Sequence, residues 1–265
     1  GLVPVIEGVP SAAIRLENSD NWWRFTLFGQ KDTNIFHSRF APLGSMAMFD
    51  YPFTDSLKTD TLTKKAWIKI MPSRLGSQRI KKYTEIKLYY GYVPGYCEIN
   101  TYINDSLTRF DDIDAFSGFD QMKWDFKNTP ENFKLEFISK KSPEFYAFSL
   151  ESHSGVIVDN IAMRGSSGTL LKKFDHKQFK RFLNTQPIRL FILQYGGNTV
   201  PYIKSIDNAE QYGRWFKAQI EYLQKIKPDA AIIVIGPSDM ATKIDGDFVS
   251  YPYLENVRDA LKKAA

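Results

Sequence analysis

Apolar and polar side chains alternate along most of the first half of the chain. The pattern runs through Trp67-Ile68-Lys69-Ile70, Thr84-Glu85-Ile86-Lys87-Leu88-Tyr89-Tyr90 and Cys97-Glu98-Ile99-Asn100-Thr101-Tyr102. It returns in Met122-Lys123-Trp124-Asp125-Phe126 and Phe133-Lys134-Leu135-Glu136-Phe137-Ile138. A period of two, broken by Gly, Pro, Asn and Asp, is what half-buried antiparallel strands require, because successive side chains point to opposite sheet faces. With the apolar runs at 13–16, 23–28, 45–49 and 145–150 this predicts about nine strands and no helix. Two packed sheets, a jelly-roll-like β-sandwich, is the economical way to bury them.

Near Ser152 the rhythm changes. Val156-Ile157-Val158 is a short β-branched run, followed by the polar turn Arg164-Gly165-Ser166-Ser167-Gly168 and a helical stretch over 175–183. An apolar strand at 188–193, a Gly-rich loop, a long helix over 208–226, a second apolar strand at 232–235 and a last helix from Leu254 complete the chain. The long helix carries Tyr212, Trp215, Phe216, Ile220 and Leu223 on one face. Asp207 and Glu210 form its capping box, and Pro228 stops it. Strand–helix alternation predicts parallel strands with right-handed crossovers, and strands without alternation predict a sheet covered on both faces. The chain therefore divides into a β-sandwich over 1–152 and an α/β layer over 153–265.

Composition adds little to the fold and something to the partners. Over 265 residues, 43% hydrophobic content suffices for real cores, and the formal net charge is +5. The basic residues fall in scattered doublets, Lys64-Lys65, Lys81-Lys82, Lys140-Lys141 and Lys172-Lys173, which argues against nucleic acid. Cys97 is the sole cysteine, and His37, His153 and His176 lack metal-ligand spacing, so neither a metal nor a cofactor is expected. No apolar run is long enough to span a bilayer. An aromatic share of 15% directs attention to Trp22, Trp23 and Trp124 as rings that stack on sugars or, facing inward, as core.

In α/β sheets the loops after the strand C-terminal ends carry the chemistry. Phe191-Ile192-Leu193-Gln194-Tyr195-Gly196-Gly197-Asn198 resembles block III of the SGNH (GDSL-type) hydrolases, an apolar strand ending in Gly-x-Asn. Asn160-Ile161-Ala162-Met163-Arg164-Gly165-Ser166-Ser167-Gly168 is similar to their block II, and Asn198 follows Gly168 by thirty residues, room for one helix and one strand. Ile235-Gly236-Pro237-Ser238-Asp239 is like a segment of the family branch acting on O-acetylated peptidoglycan or other glycans. That branch carries a β-sandwich between blocks I and II. The resemblance implies a three-layer, flavodoxin-like parallel sheet. It also implies an oxyanion hole of the Gly168 N–H and the Asn198 amide, with Ser167, Gly197 and Asp239 as substrate-side candidates. An ester's tetrahedral intermediate needs such donors where its negative charge develops.

The family's nucleophile and base have no counterpart. Thr54-Asp55-Ser56-Leu57 imitates the Gly-Asp-Ser block, but Pro52 just upstream is foreign to a buried central strand. The Asp-x-x-His block is absent, since Asp175-His176 is adjacent rather than spaced. These absences suggest a fragment of a longer hydrolase, or a degenerate non-catalytic relative. In either case the missing central strand is expected from an absent segment or a partner chain. Two functions stand open: an esterase acting on acylated glycan or peptidoglycan, and a non-enzymatic glycan-binding protein of the cell envelope. Both imply a periplasmic or secreted setting.

Overall fold

A computed structural model describes residues 1–6, 13–27, 40, 43–50, 62–75, 77–161 and 165–265. The chain forms two compact units, Gly1–Ala162 and Met163–Ala265.

The first unit is an antiparallel two-sheet sandwich. In chain order its strands are β1 (Leu2–Val3), β2 (Ile14–Asn18), β3 (Trp23–Thr26), β4 (Ser45–Met48), β5 (Lys64–Pro72) and β6 (Glu85–Tyr90). Then come β7 (Cys97–Ile103), β8 (Ser106–Ile113), β9 (Asp120–Asp125), β10 (Phe133–Ser139) and β11 (Phe145–Glu151). One sheet has the order β3-β4-β11-β6-β9, with β1 also on β11; the other has β2-β5-β10-β7-β8. The apolar phase of each strand faces the opposite sheet. Ala66, Ile68 and Ile70 of β5, Phe133, Leu135 and Phe137 of β10, and Ile86 and Leu88 of β6 meet in one buried cluster. Trp22 fills its centre, edge-on to Phe49, Phe137 and Phe145 at centroid distances of 5.4–5.7 Å. Burying a Leu, Ile or Phe side chain contributes about 1.5–3 kcal/mol each, so this cluster is the main source of the unit's stability.

Strand β8 has no clear alternation in sequence. Its register on β7 comes from the turn instead: Asn104 and Asp105 both adopt positive φ (51° and 61°), the geometry of a tight hairpin.

The second unit corrects the expected fold. A flavodoxin-like, three-layer α/β sheet is not formed. Its only parallel pairing among the described residues is β12 (Leu190–Gln194) on β13 (Ala231–Ile235), in register from Leu190↔Ala231 to Gln194↔Ile235. The remaining sheets are antiparallel, including the hairpin β14 (Ala241–Ile244) and β15 (Asp247–Ser250). Three helices accompany the pair, α1 (His176–Thr185), α2 (Ile206–Ile226) and α3 (Leu254–Ala264).

The overestimate has a specific cause. Val156-Ile157-Val158 has the composition of a buried parallel strand, yet Val156 and Val158 are 93% and 81% exposed and pair with no strand. A short β-branched run makes a strand only where a neighbour satisfies its backbone groups. The pair is likewise uncovered on one face, where Leu190, Ile192, Ile233 and Ile235 are 42–56% exposed. The helices follow their patterns more closely. Asp175 caps α1 by accepting from the Gln178 N–H, and Ser205 caps α2 by accepting from the Asn208 N–H. Tyr212, Phe216, Ile220 and Leu223 of α2 are buried, whereas Trp215 is exposed.

Candidate functional site

The residues singled out for an oxyanion hole lie on two loops of the second unit. Gly168 follows a polar turn and has φ +78°, a conformation that side chains with a Cβ resist. The Tyr195 ring is seated directly on it, so a Cβ there would lie 2.4 Å from Tyr195 Cγ. Asn198 sits in the turn after β12, closed by the Thr199 and Val200 N–H groups donating to Gly196 O at 2.8 and 3.0 Å.

Both donors meet Ser166. The Gly168 N–H donates to Ser166 Oγ at 3.0 Å, and Asn198 Nδ2 donates to Ser166 O at 3.3 Å. Ser166 itself is buried. Ser167 Oγ shares a 2.8 Å hydrogen bond with Thr169 Oγ1, and Tyr212 of α2 donates its hydroxyl to Ser167 O at 2.7 Å. Burial pushes the Tyr212 hydroxyl up to about 12, which keeps it a donor at neutral pH. Gly197 faces Met240, whose sulfur would lie 3.7 Å from a Cβ at that position. Asp239 is exposed on the loop after β13.

A base is not placed with these loops. His176 Nδ1 is hydrogen-bonded to the Tyr222 hydroxyl at 3.1 Å. Tyr222 is ten residues beyond Tyr212 on α2, about 15 Å along the helix. His153 belongs to the first unit, and Ser56 and His37 lie outside the described residues.

The first unit carries a different kind of surface, on the outward face of the β2-β5-β10-β7-β8 sheet. Here the polar phase of three of the five strands contains a large ring: Trp67 on β5, Tyr102 on β7 and Phe110 on β8, the last 72% exposed. The register sets Trp67, Glu136, Asn100 and Phe110 in one row across four strands. Three strand spacings make that row about 14 Å long. Asn100 Nδ2 donates to Glu136 Oε1 at 3.2 Å in its middle. In the next row Lys134 Nζ stands over both the Trp67 and the Tyr102 rings, 5.5 and 5.0 Å from their centroids. Rings, a carboxylate, an amide and an ammonium thus share one partly exposed surface. This combination packs on the C–H faces of sugars and hydrogen-bonds their hydroxyls.

Sequence reasoning pointed to other tryptophans. Trp22 is core, and Trp124 is buried with its indole N–H donating to Thr101 Oγ1 at 3.0 Å. Trp23 is 50% exposed on β3. The signal for Trp67 and Tyr102 was in the pattern: each is an aromatic in the polar phase of an alternating strand.

On the other sheet's outward face, Glu85, Asp125 and His153 come close enough together to hold a metal ion, which histidine spacing gave no reason to expect. Lysine already fills the space: Lys123 Nζ lies 2.5 Å from Glu85 and 3.2 Å from Asp125, and Lys87 Nζ lies 2.8 Å from Glu85 and 3.0 Å from Glu151. No helix among the described residues is long and apolar enough to cross a membrane.

No family model matches the chain, and no curated protein does. Among solved structures the chain is similar to the family 35 carbohydrate-binding module of Paenibacillus barcinonensis, at 11% identity over 57% of this chain and 98% of that one, TM-score 0.32. It is similar to a family 6 module of Clostridium stercorarium in complex with cellobiose, at 10% identity over 56% and 99%, TM-score 0.30. A family two carbohydrate esterase of Clostridium thermocellum in complex with cellohexaose covers more, 79% of this chain and 81% of its own, at 10% identity and TM-score 0.24.

Proposed function

We propose that the chain binds glycan through the outward face of its five-stranded sheet. The row formed by Trp67, Glu136, Asn100 and Phe110, with Tyr102 and Lys134 beside it, carries this reading. Large rings are costly to leave in water, and three of them in the polar phase of neighbouring strands make an accessible patch of the kind that marks a binding surface. Calorimetric titration of the chain with a panel of oligosaccharides tests it. Truncating a central ring of a binding surface costs at least about tenfold in affinity, so Trp67→Ala and Tyr102→Ala each weaken binding by that factor. Unchanged affinity in both variants contradicts the proposal.

A second reading gives the loops of the second unit an ester-hydrolase role toward the glycan's ester groups. The meeting of the Gly168 N–H and the Asn198 amide on Ser166 supports it, since a bound oxyanion needs two such donors within hydrogen-bond range. Ser167, Gly197 and Asp239 would flank the acyl group. Acetate release from O-acetylated peptidoglycan tests it: loss of one oxyanion donor in Asn198→Ala lowers the rate about 10²–10³-fold. No release, or release that Asn198→Ala leaves intact, refutes the assignment.

A further inference from the structure

Lys134 differs from two neighbouring cations on the outward face of the five-stranded sheet. Lys69, its cross-strand neighbour on β5, is ion-paired with Asp105 at 2.7 Å, and Arg15 on β2 is paired with Glu17 at 3.0 Å. Lys134 has aromatic partners but no carboxylate within ion-pair distance among the described residues. Asp105, which feels the Lys134 charge, is already bound by Lys69 Nζ and by Asn132 Nδ2 at 3.1 Å. Glu136, two residues along β10 on the same face, accepts from Asn100.

The side chain is also held in place. An ammonium over the faces of two rings is attracted by both quadrupoles, which fixes its position above the sheet without using its N–H donors. Lys134 is half-buried, so a ligand that settles on the rings further excludes water from the charge. A neutral sugar offers that ammonium only hydroxyl acceptors. A sugar bearing a carboxylate offers a charge-assisted hydrogen bond, about twice as strong as a neutral one.

Resting on the reading that this face binds glycan, we propose that Lys134, held between Trp67 and Tyr102, makes the site selective for carboxylate-bearing sugars, the uronate class. Glu136 and Asn100 are then left for hydroxyls, and the Glu136 carboxylate excludes a second acidic group from the middle of the row. The charge of the site is therefore asymmetric, positive over the rings and negative beside Asn100.

The test is calorimetric titration of the 265-residue chain with trimers of galacturonate, mannuronate and glucuronate, each matched by its carboxyl-reduced neutral trimer. The expected result is that at least one uronate trimer binds about tenfold more tightly than its neutral match at low salt, and that this gap narrows at 0.5 M salt. Lys134→Gln should shrink the gap to about twofold, and Lys134→Arg, which keeps charge and ring stacking, should preserve it. Thermal unfolding of each variant confirms that the sandwich is intact. Equal binding of the charged and neutral trimers, or a gap that Lys134→Gln leaves unchanged, overturns the role of Lys134 while leaving glycan binding in place. Binding of no trimer, charged or neutral, overturns the glycan reading and this inference with it.

Discussion

Replacing Gly168 by alanine separates two physical penalties that usually come together. Gly165 and Gly168 lie in the same turn with nearly the same backbone, φ +77° and +78°. A Cβ at Gly165 meets nothing within 4 Å, whereas one at Gly168 would lie 2.4–2.7 Å from three atoms of the Tyr195 ring. Both substitutions incur the left-handed-backbone cost of about 1–2 kcal/mol. Only Gly168→Ala adds the overpacking cost of about 1–3 kcal/mol, because the ring is half-buried and packs edge-on to Phe216 with centroids 5.9 Å apart. The difference between the variants is therefore about 1–3 kcal/mol. For a unit of about 100 residues, 1 kcal/mol moves the melting temperature by about 4–8 °C. All three α-helices among the described residues belong to the second unit, so circular dichroism at 222 nm reports chiefly on that unit. Gly168→Ala should melt at least about 4 °C below Gly165→Ala. Equal melting temperatures would show that Tyr195 does not sit on Gly168, and with it would go the loop arrangement on which the oxyanion reading depends.

Three further outcomes follow from the same structure. Burial works against the Glu85 charge, but hydrogen bonds from Lys123 and Lys87 overcome it and hold its carboxyl below the ordinary value of 4.5. A depressed folded-state value contributes stability that is present above pH 4.5 and is lost as the pH falls through the folded-state value. Glu85→Gln should accordingly lower the sandwich's urea midpoint at pH 7, and the gap to the parent should narrow as the pH falls below 4.5; a pH-independent gap contradicts the ion-pair network. Tyr212→Phe leaves Ser167 O without its donor and should destabilise the second unit by about 1–3 kcal/mol in urea melts, a loss absent if Ser167 O finds water instead. Trp22→Ala opens the centre of the sandwich and should cost about 3–5 kcal/mol, read from its tryptophan-fluorescence transition. A cost below 1 kcal/mol would place Trp22 outside the core.

The sandwich was legible because its strands alternate and one face of each is apolar; β5, β7 and β10 announce themselves residue by residue. Strand β8 was not, since Ser106–Ile113 lies at a sheet edge where seven of its eight positions are exposed or half-buried and periodicity carries no signal. Its cue was the Asn104-Asp105 pair, whose tolerance of positive φ makes the hairpin. The hairpin of β14 and β15 went unread for the same reason, although Asp245-Gly246 is a strong turn dipeptide. The α/β layer was over-read. A β-branched run such as Val156-Ile157-Val158 states a preference for extended backbone but not a partner, and sheet order depends on the partner. The loop bearing Asn198 follows β12, whereas Gly168 follows a turn and not the expected strand, and the hydrogen bonds to Ser166 lie in no spacing rule. Trp67 and Tyr102 were visible as rings out of phase with their strands, while attention went to tryptophans whose positions turned out to be core.

The most direct test of glycan binding uses the five tryptophans as separate reporters. Indole 15N-labelled protein gives one N–H signal for each of Trp22, Trp23, Trp67, Trp124 and Trp215. Trp22 and Trp124 are buried, Trp23 is exposed on the other sheet, Trp215 belongs to the second unit, and Trp67 alone is part of the row with Glu136 and Asn100. On titration with a bound oligosaccharide the Trp67 signal should shift in a saturable way while those of Trp23, Trp124 and Trp215 stay within their line widths; Trp22, whose indole N–H donates to Trp67 O at 3.2 Å, is not a control. A saturable shift of Trp23 or Trp215 with Trp67 unmoved would put the glycan elsewhere and contradict the open face as the binding surface.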